Sequence, residues 1–220
     1  MTRTLYVYAI VEPGVRLPRV AGHRIERVEL GGVAAAAERR TKAPPLSEKA
    51  LRDQYRVVAS VHQRVNAIVP VRFGALVERD ELERIASLRG RMLVAALRNV
   101  KGKSQMTVRL LGSAPARPPA MPAASGTDYL LSRAESNRPA VPPLADAIRR
   151  SVAAIVSAES IDPGRESIEL TINHLVPNGR LARYRSRVEA VAFESSSPAS
   201  VMISGPMPPF AFAPDLWDEA

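Results

Sequence analysis

The 220-residue chain contains no cysteine, and this absence removes several kinds of chemistry at once. Without cysteine there is no disulfide, no thiolate metal site and no cysteine nucleophile. A cysteine-free composition also suits a reducing compartment.

Long apolar runs are missing as well. No stretch approaches the roughly 20 apolar residues that a membrane-spanning helix needs. The N-terminus, Met1 to Tyr8, enters a strand pattern almost directly, without the apolar segment of a secretory signal. We therefore expect no membrane span and a cytoplasmic location.

Catalytic and metal-binding motifs are equally scarce. The three histidines, His23, His62 and His174, form none of the short spacings that zinc sites use. No glycine-flanked serine elbow is present. Gly102-Lys103-Ser104 ends like a phosphate-binding loop, but Leu97 stands where that loop needs its first glycine. The sequence thus offers no catalytic residue, no metal ligand and no cofactor site.

Positive charge is in excess, with a net charge of +9 and a pI near 10.6. The arginines are spread along the chain, and no basic run is interleaved with stacking aromatics. Tyr6 and Tyr8 share one face of the first predicted strand, but the predicted strand Gln105 to Leu111 has no aromatic partner for an RNA-binding sheet. We expect an acidic protein surface as partner, and no nucleic acid.

The first half of the chain shows an alternation of strand and helix patterns. A β-rich run comes first, then a hairpin around Gly31-Gly32, although the alanines after Val33 equally suit a helix. Ser47 is predicted to cap a helix, because apolar spacings of three and four follow it. The predicted elements are strand Leu5 to Val11, hairpin Ile25 to Leu30 with Val33 to Ala37, a five-turn helix from Ser47, strand Val69 to Gly74, helix Asp80 to Val100 and strand Gln105 to Leu111.

This order is close to βαββαβ with one small addition. It indicates a ferredoxin-like N-terminal domain over residues 1–111, in which two helices cover one face of an antiparallel sheet. A proline-rich linker or loop follows at residues 112–125. Residues 126–220 are predicted to form a smaller α+β domain that ends in a proline-rich aromatic tail.

The tail, Ile203 to Phe212, is the most distinctive segment. After Gly205, the prolines Pro206, Pro208 and Pro209 remove backbone donors and favour an extended chain. Phe210 and Phe212 add apolar area that must pack against something. Two interpretations stand side by side: an ordered tail that packs on its own domain, and a segment that binds a partner.

Four segments, in order and spacing, resemble the gas vesicle accessory proteins of the GvpF/GvpL family. These segments are Leu5-Tyr6-Val7-Tyr8-Ala9-Ile10-Val11, Val69-Pro70-Val71-Arg72-Phe73-Gly74, Gly126-Thr127-Asp128-Tyr129-Leu130-Leu131 and Gly205-Pro206-Met207-Pro208-Pro209-Phe210-Ala211-Phe212. Together they span nearly the whole chain, and four ordered motifs are far more specific than any one of them.

The resemblance implies a non-enzymatic accessory protein for gas vesicle formation, with two domains and a location at gas vesicles in the cytoplasm. Its implied partners are the gas vesicle shell protein and other gas vesicle accessory proteins. The candidate partner or domain-interface residues are Arg72, Phe73, Gly205, Pro206, Pro208, Pro209, Phe210 and Phe212. The alternative is a ligand-binding regulatory module, because ferredoxin-like sheets carry many unrelated functions.

Overall fold

The computed structural model describes residues 4–112, 142–165, 167–195, 200–214 and 216. Within them the chain is α+β with two antiparallel sheets, which confirms the predicted fold class. The strands are β1 Thr4–Val11, β2 Glu26–Glu29, β3 Ala34–Arg39, β4 Ile68–Pro70, β5 Leu76–Glu78, β6 Lys103–Leu111, β7 Ala158–Arg165, β8 Ile168–Pro177 and β9 Ser200–Met207. The helices are α1 Glu48–His62, α2 Arg79–Val100, α3 Pro143–Val152 and α4 Leu181–Glu194.

Contacts divide the chain into two units, which differ from the predicted domains. The first unit is Met1–Gln105 together with Pro206–Ala220, and the second is Met106–Gly205. Residues 206–220, which the sequence predicts as the end of the C-terminal domain, therefore group with residues 1–105. Residues 113–125 of the predicted linker and the segment Gly126 to Leu131 lie outside the described residues.

The sheet of the first unit is built around β1. Its order is β2-β3-β1-β4, and β5 also pairs with β1. The predicted hairpin is present, with Glu29 opposite Ala34, and Gly31 supplies the positive φ of 78° that the turn requires. The predicted strand Val69 to Gly74 is replaced by two short strands, β4 and β5, on either side of a turn at Gly74 (φ 87°).

Both faces of β1 are buried. Tyr6 and Tyr8 pack in one apolar cluster with three valines of α1, whereas Leu5 and Val7 point to the other face and are also buried. Helix α2 contacts β1, β4 and β5 and is not part of the tyrosine cluster. The two helices thus lie on opposite faces of this sheet, whereas the sequence predicts them on one.

Helix α1 begins where the sequence predicts. The Ser47 hydroxyl accepts a hydrogen bond from Ala50 N at 3.2 Å, which satisfies one of the free amides of the first turn. The helix ends at His62 after 15 residues, about one turn earlier than the predicted five turns.

The βαββαβ order occurs in the second sheet. Its strands follow the order β7-β8-β6-β9, and the chain runs β6, α3, β7, β8, α4, β9, which is the ferredoxin-like connectivity. Met106, Val108 and Leu110 of β6 join one apolar cluster with both helices of this unit. The sequence correctly predicts β6 as a strand but places it in the first sheet, because alternation reveals a strand and not its partner.

Strand β7 contains Asp162, Pro163 and Gly164, residue types that are more common in turns than in strands. In the structure these residues pair with β8, with Pro163 opposite Leu170. Strand β7 is an edge strand of its sheet. A proline is tolerated there because the outer side of an edge strand needs no backbone donor. Among the described residues, no helix is long and apolar enough to cross a membrane.

Candidate functional site

The proline-rich tail is ordered and begins inside a strand. Strand β9 continues through Gly205 and Pro206 to Met207, so it includes the first residues of the proline-rich tail. Gly205 has a φ of 114°, which side chains rarely allow, and it belongs to the second unit. Pro206 is exposed, whereas Pro208 and Pro209 are buried. Burial thus alternates along the tail, with Pro208 and Pro209 as its first buried residues.

The residues after Pro209 form a short 3₁₀ turn, Phe210–Phe212. Ala211 N donates to Gln105 Oε1 at 2.9 Å, and Gln105 is itself buried. The ring of Phe210 stacks on Tyr55 of α1, with centroids 6.1 Å apart and an interplanar angle of 22°. One backbone hydrogen bond and one aromatic pair therefore fix this turn within the first unit.

The Arg72-Phe73 segment is positioned from beneath by a buried polar chain. Gln54 of α1 donates from Nε2 to Val71 O at 3.0 Å. The Tyr6 hydroxyl donates to Gln54 Oε1 and accepts from Gly74 N at 3.1 Å. Burial raises the pKa of Tyr6, so its hydroxyl stays protonated and remains a donor.

The structure brings some of the predicted residues together and leaves others apart. Arg72 and Phe210 line one small cavity of about 160 Å³, with Pro70, Val71, Ala213, Pro214 and Leu216. Arg72 is exposed and Phe73 is half-buried. Phe73, Phe212, Gly205, Pro206, Pro208 and Pro209 do not line this cavity.

Large apolar side chains are exposed next to this cavity. Leu51 and Tyr55 are four residues apart on α1, so they share one face, and they are 45% and 46% exposed. Phe210, stacked on Tyr55, is 37% exposed. We call Leu51, Tyr55, Arg72 and Phe210 the tail surface. The spacing of Leu51 and Tyr55 along α1 predicts core residues, so the sequence does not identify them as exposed.

A second polar group surrounds Glu38, and the sequence does not predict it. Glu38 Oε2 accepts from the Tyr8 hydroxyl at 2.8 Å and from Arg40 Nη2 at 2.9 Å, and it lies 3.2 Å from His23 Nδ1. Burial alone would raise the pKa of Glu38, but these hydrogen bonds lower it to about 2. Residues 15 to 32 positions apart in sequence meet here, and no local pattern predicts that.

A third polar group lies in the second unit. His174, which is fully buried, has Nδ1 at 2.7 Å from the Tyr184 hydroxyl and Nε2 at 3.0 Å from Glu159 Oε2. Because a carboxylate only accepts, Nε2 carries the proton and Nδ1 accepts from Tyr184. Arg149 in turn binds Glu159 through Nε and Nη2. The imidazole is therefore held in one orientation inside the fold.

This arrangement predicts that stability falls with acidification. Burial lowers the pKa of His174 below its usual 6.5, despite Glu159, and burial also lowers the pKa of His62. The folded state then binds fewer protons than the unfolded state, so stability is complete above pH 6.5 and declines below it. We expect the free energy of unfolding, measured with urea, to fall from about pH 7.5 to about pH 5.5.

The variant His174→Gln tests the assignment. It removes one titrating group, so its stability should depend less steeply on pH over the same range, with the remaining slope due to His62. An unchanged slope in this variant would show that His174 does not carry the effect. Below about pH 4.5 carboxylates titrate as well, so the comparison stays above that value.

These polar groups bond mainly to one another. Tyr184 and His174 are fully buried, whereas a catalytic group must reach its substrate. In the part of the chain that the structure describes, no group of three or more histidine, aspartate or glutamate side chains is placed to hold a metal ion.

Comparison with known proteins adds a family and a fold. The family model of the gas vesicle synthesis protein GvpL/GvpF matches residues 4–214. Crystal structures of the gas vesicle protein GvpF from Anabaena sp. PCC7120 and from Microcystis aeruginosa each superpose with a TM-score of 0.73 at 16% identity. The matches cover 97% of this chain and 97% and 100% of those chains, respectively. No curated protein gives a significant match.

Proposed function

Because the chain belongs to the gas vesicle synthesis protein GvpL/GvpF family, we propose that it is a non-enzymatic accessory protein that binds the gas vesicle shell subunit, and other accessory proteins, during vesicle assembly. It acts in the cytoplasm at growing gas vesicles. The partner is a protein, and the contact requires no cofactor.

The observation that carries this proposal is the tail surface. It presents two exposed aromatic rings in a stack. Leu51 shares a helix face with Tyr55, and Arg72 lines the same cavity as Phe210. Aromatic and arginine side chains are the residues that contribute most to protein interfaces. Since the rings are already stacked, little side-chain entropy is lost when a partner covers them. A partner with an exposed apolar segment fits this surface.

The test is co-expression with the candidate shell protein, followed by size-exclusion chromatography of the soluble fraction. We expect wild-type protein to elute with shell protein in one discrete peak. The double variant Tyr55→Ser/Phe210→Ser should lower the co-eluting shell protein at least about tenfold, as expected for the loss of two central aromatic contacts.

Leu88→Ser is the matched control. Leu88 is a large apolar residue of α2 that is 72% exposed and does not belong to the tail surface. It should leave co-elution unchanged. If wild-type protein leaves all shell protein in the pellet, direct binding of the shell subunit is rejected. If Leu88→Ser weakens co-elution as much as the double variant does, the tail surface is not the binding site.

A further inference from the structure

A cleft of about 710 Å³ opens in the first unit beside the N-terminal half of α1. The histidine, arginine, lysine and carboxylate side chains that line it are His23, Arg40, Lys49, Asp53 and Arg56. None of them belongs to the tail surface. The volume lies within the range of about 300–1,000 Å³ that is usual for ligand sites, so the cleft can receive a group of substantial size.

The inner end of the cleft is a fixed positive group. Arg40 binds Glu38 Oε2 through Nε at 3.2 Å and through Nη2 at 2.9 Å. Its guanidinium also stacks over the Tyr6 ring, 5.3 Å from the centroid. Among the described residues, the hydrogen bonds of this guanidinium are donated by Nε and Nη2, and none is donated by Nη1. The guanidinium is therefore held in place while one of its donors stays available.

The outer wall carries more positive than negative charge. Lys49 and Arg56 both pair with a single carboxylate, Asp53, at 3.1 and 3.2 Å. The two cations are 88% and 54% exposed, and exposed ion pairs of this kind are weak. Each cation can therefore exchange Asp53 for another carboxylate at little cost.

The charges of the inner and outer groups, taken together, favour a negatively charged ligand. Three permanent cations, Arg40, Lys49 and Arg56, line the cleft with one carboxylate, Asp53. A second carboxylate, the mostly buried Glu38, lies behind this lining in contact with Arg40. The excess is positive before His23 is considered. A neutral or cationic ligand gains nothing from this arrangement, whereas an anion completes it.

We infer that this cleft binds an acidic segment of a partner protein, with carboxylates at Arg40 and along the wall formed by Lys49 and Arg56. The spacing of the cations favours a segment over a single ion. Lys49 and Arg56 are seven residues apart on α1, which is about 10 Å along the helix axis. The side chains of these two cations converge on Asp53, whereas Arg40 lies apart from α1 in the same cleft. An extended peptide, which places alternate side chains about 7 Å apart, can contact Arg40 and the wall together.

The experiment measures the fluorescence anisotropy of a labelled peptide of alternating glutamate and serine with the purified full chain. A peptide with glutamine in place of glutamate serves as the uncharged control. We expect saturable binding of the acidic peptide at physiological salt and none of the glutamine peptide. Citrate and tripolyphosphate, as compact anions, should compete at least about tenfold less well than the unlabelled acidic peptide, since they cannot contact Arg40 and the wall at the same time.

Two variants of opposite sign make the test specific. Lys49→Gln/Arg56→Gln should weaken binding about tenfold. This factor corresponds to the loss of two exposed charge contacts at the upper end of their usual strength. Asp53→Asn frees both cations and should tighten binding about two- to fivefold. If Asp53 only maintained the structure of the cleft, Asp53→Asn would weaken binding instead.

The chain offers a matched control on α2. Arg79 pairs with Glu83 at i,i+4 and Arg84 with Glu81 at i,i+3, the same spacings as in the Lys49–Asp53–Arg56 group. Arg79→Gln/Arg84→Gln changes the net charge equally and should alter affinity less than about twofold. If both double variants weakened binding equally, general charge attraction would explain the binding, and the inference would be overturned. Absence of peptide binding, or tighter binding of citrate or tripolyphosphate, would overturn it too.

Discussion

Truncation after Gly205 is expected to destabilise the first unit by about 3–6 kcal/mol, the usual contribution of two or three buried apolar side chains. The deletion removes Pro208, Pro209 and Leu216, which are buried. It also removes the Ala211–Gln105 hydrogen bond and the Phe210–Tyr55 stack. The sequence alone would place this loss in the C-terminal domain, since the tail follows that domain in the chain.

Hydrogen exchange read by mass spectrometry locates the effect. Amide protection should fall in β1 of the first unit, while β8 of the second unit keeps most of its protection. Circular dichroism is the matching probe of global unfolding, because the deletion also removes the single tryptophan, Trp217. Phe210→Ser alone is the control and should cost less than about 1 kcal/mol, since Phe210 is partly exposed. Protection lost first in β8 would contradict the assignment of the tail to the first unit.

Replacement of Glu38 by alanine is the second large effect, and we expect it to cost about 2–4 kcal/mol at neutral pH, somewhat less than the loss of a fully buried ion-pair partner. The Tyr8 hydroxyl loses its acceptor, and Arg40 loses its carboxylate in a site where both side chains are mostly buried. Glu26→Ala is the control, because Glu26 forms a solvent-exposed ion pair with Arg39. The free energy of unfolding of this variant should differ little from that of the wild type.

The pH dependence of this difference has a defined sign. The pKa of Glu38 is lowered from 4.5 to about 2 in the folded state, so its contribution is complete above pH 4.5 and is lost as the pH falls toward 2. The shift corresponds to roughly 3 kcal/mol. The difference in unfolding free energy between wild type and Glu38→Ala should therefore narrow as the pH falls from about 5 to about 3. A constant difference over that range would show that Glu38 acts through packing rather than charge.

Local features were predictable from the sequence because local interactions produce them. Alternation and β-branched residues identify β1, and the Gly31-Gly32 pair identifies the hairpin. Ser47 identifies the start of α1, and apolar spacing identifies α2 within one residue of its observed start. The family, too, was predictable, since its motifs are short segments in a fixed order.

The tail surface was predicted only in part. Arg72 and Phe210 come from two of the recognised motifs, and the structure places both on one cavity. The apolar spacing of α1 predicts Leu51 and Tyr55 as core residues. They are exposed because the apolar face of the helix is wider than the part that packs against the rest of the unit. Such a difference depends on what packs against a helix, which its own sequence does not encode.

The sequence by itself determined the α+β class, most strand and helix positions and the family of this protein. Only the tertiary structure decided which sheet receives β6, which unit receives the tail, and which residues surround Glu38 and His174. The physical reason is that a strand leaves unpaired backbone groups on both sides, and any compatible edge satisfies them. The choice among edges is made by side chains far apart in the chain, whose contacts exist only once the fold has formed.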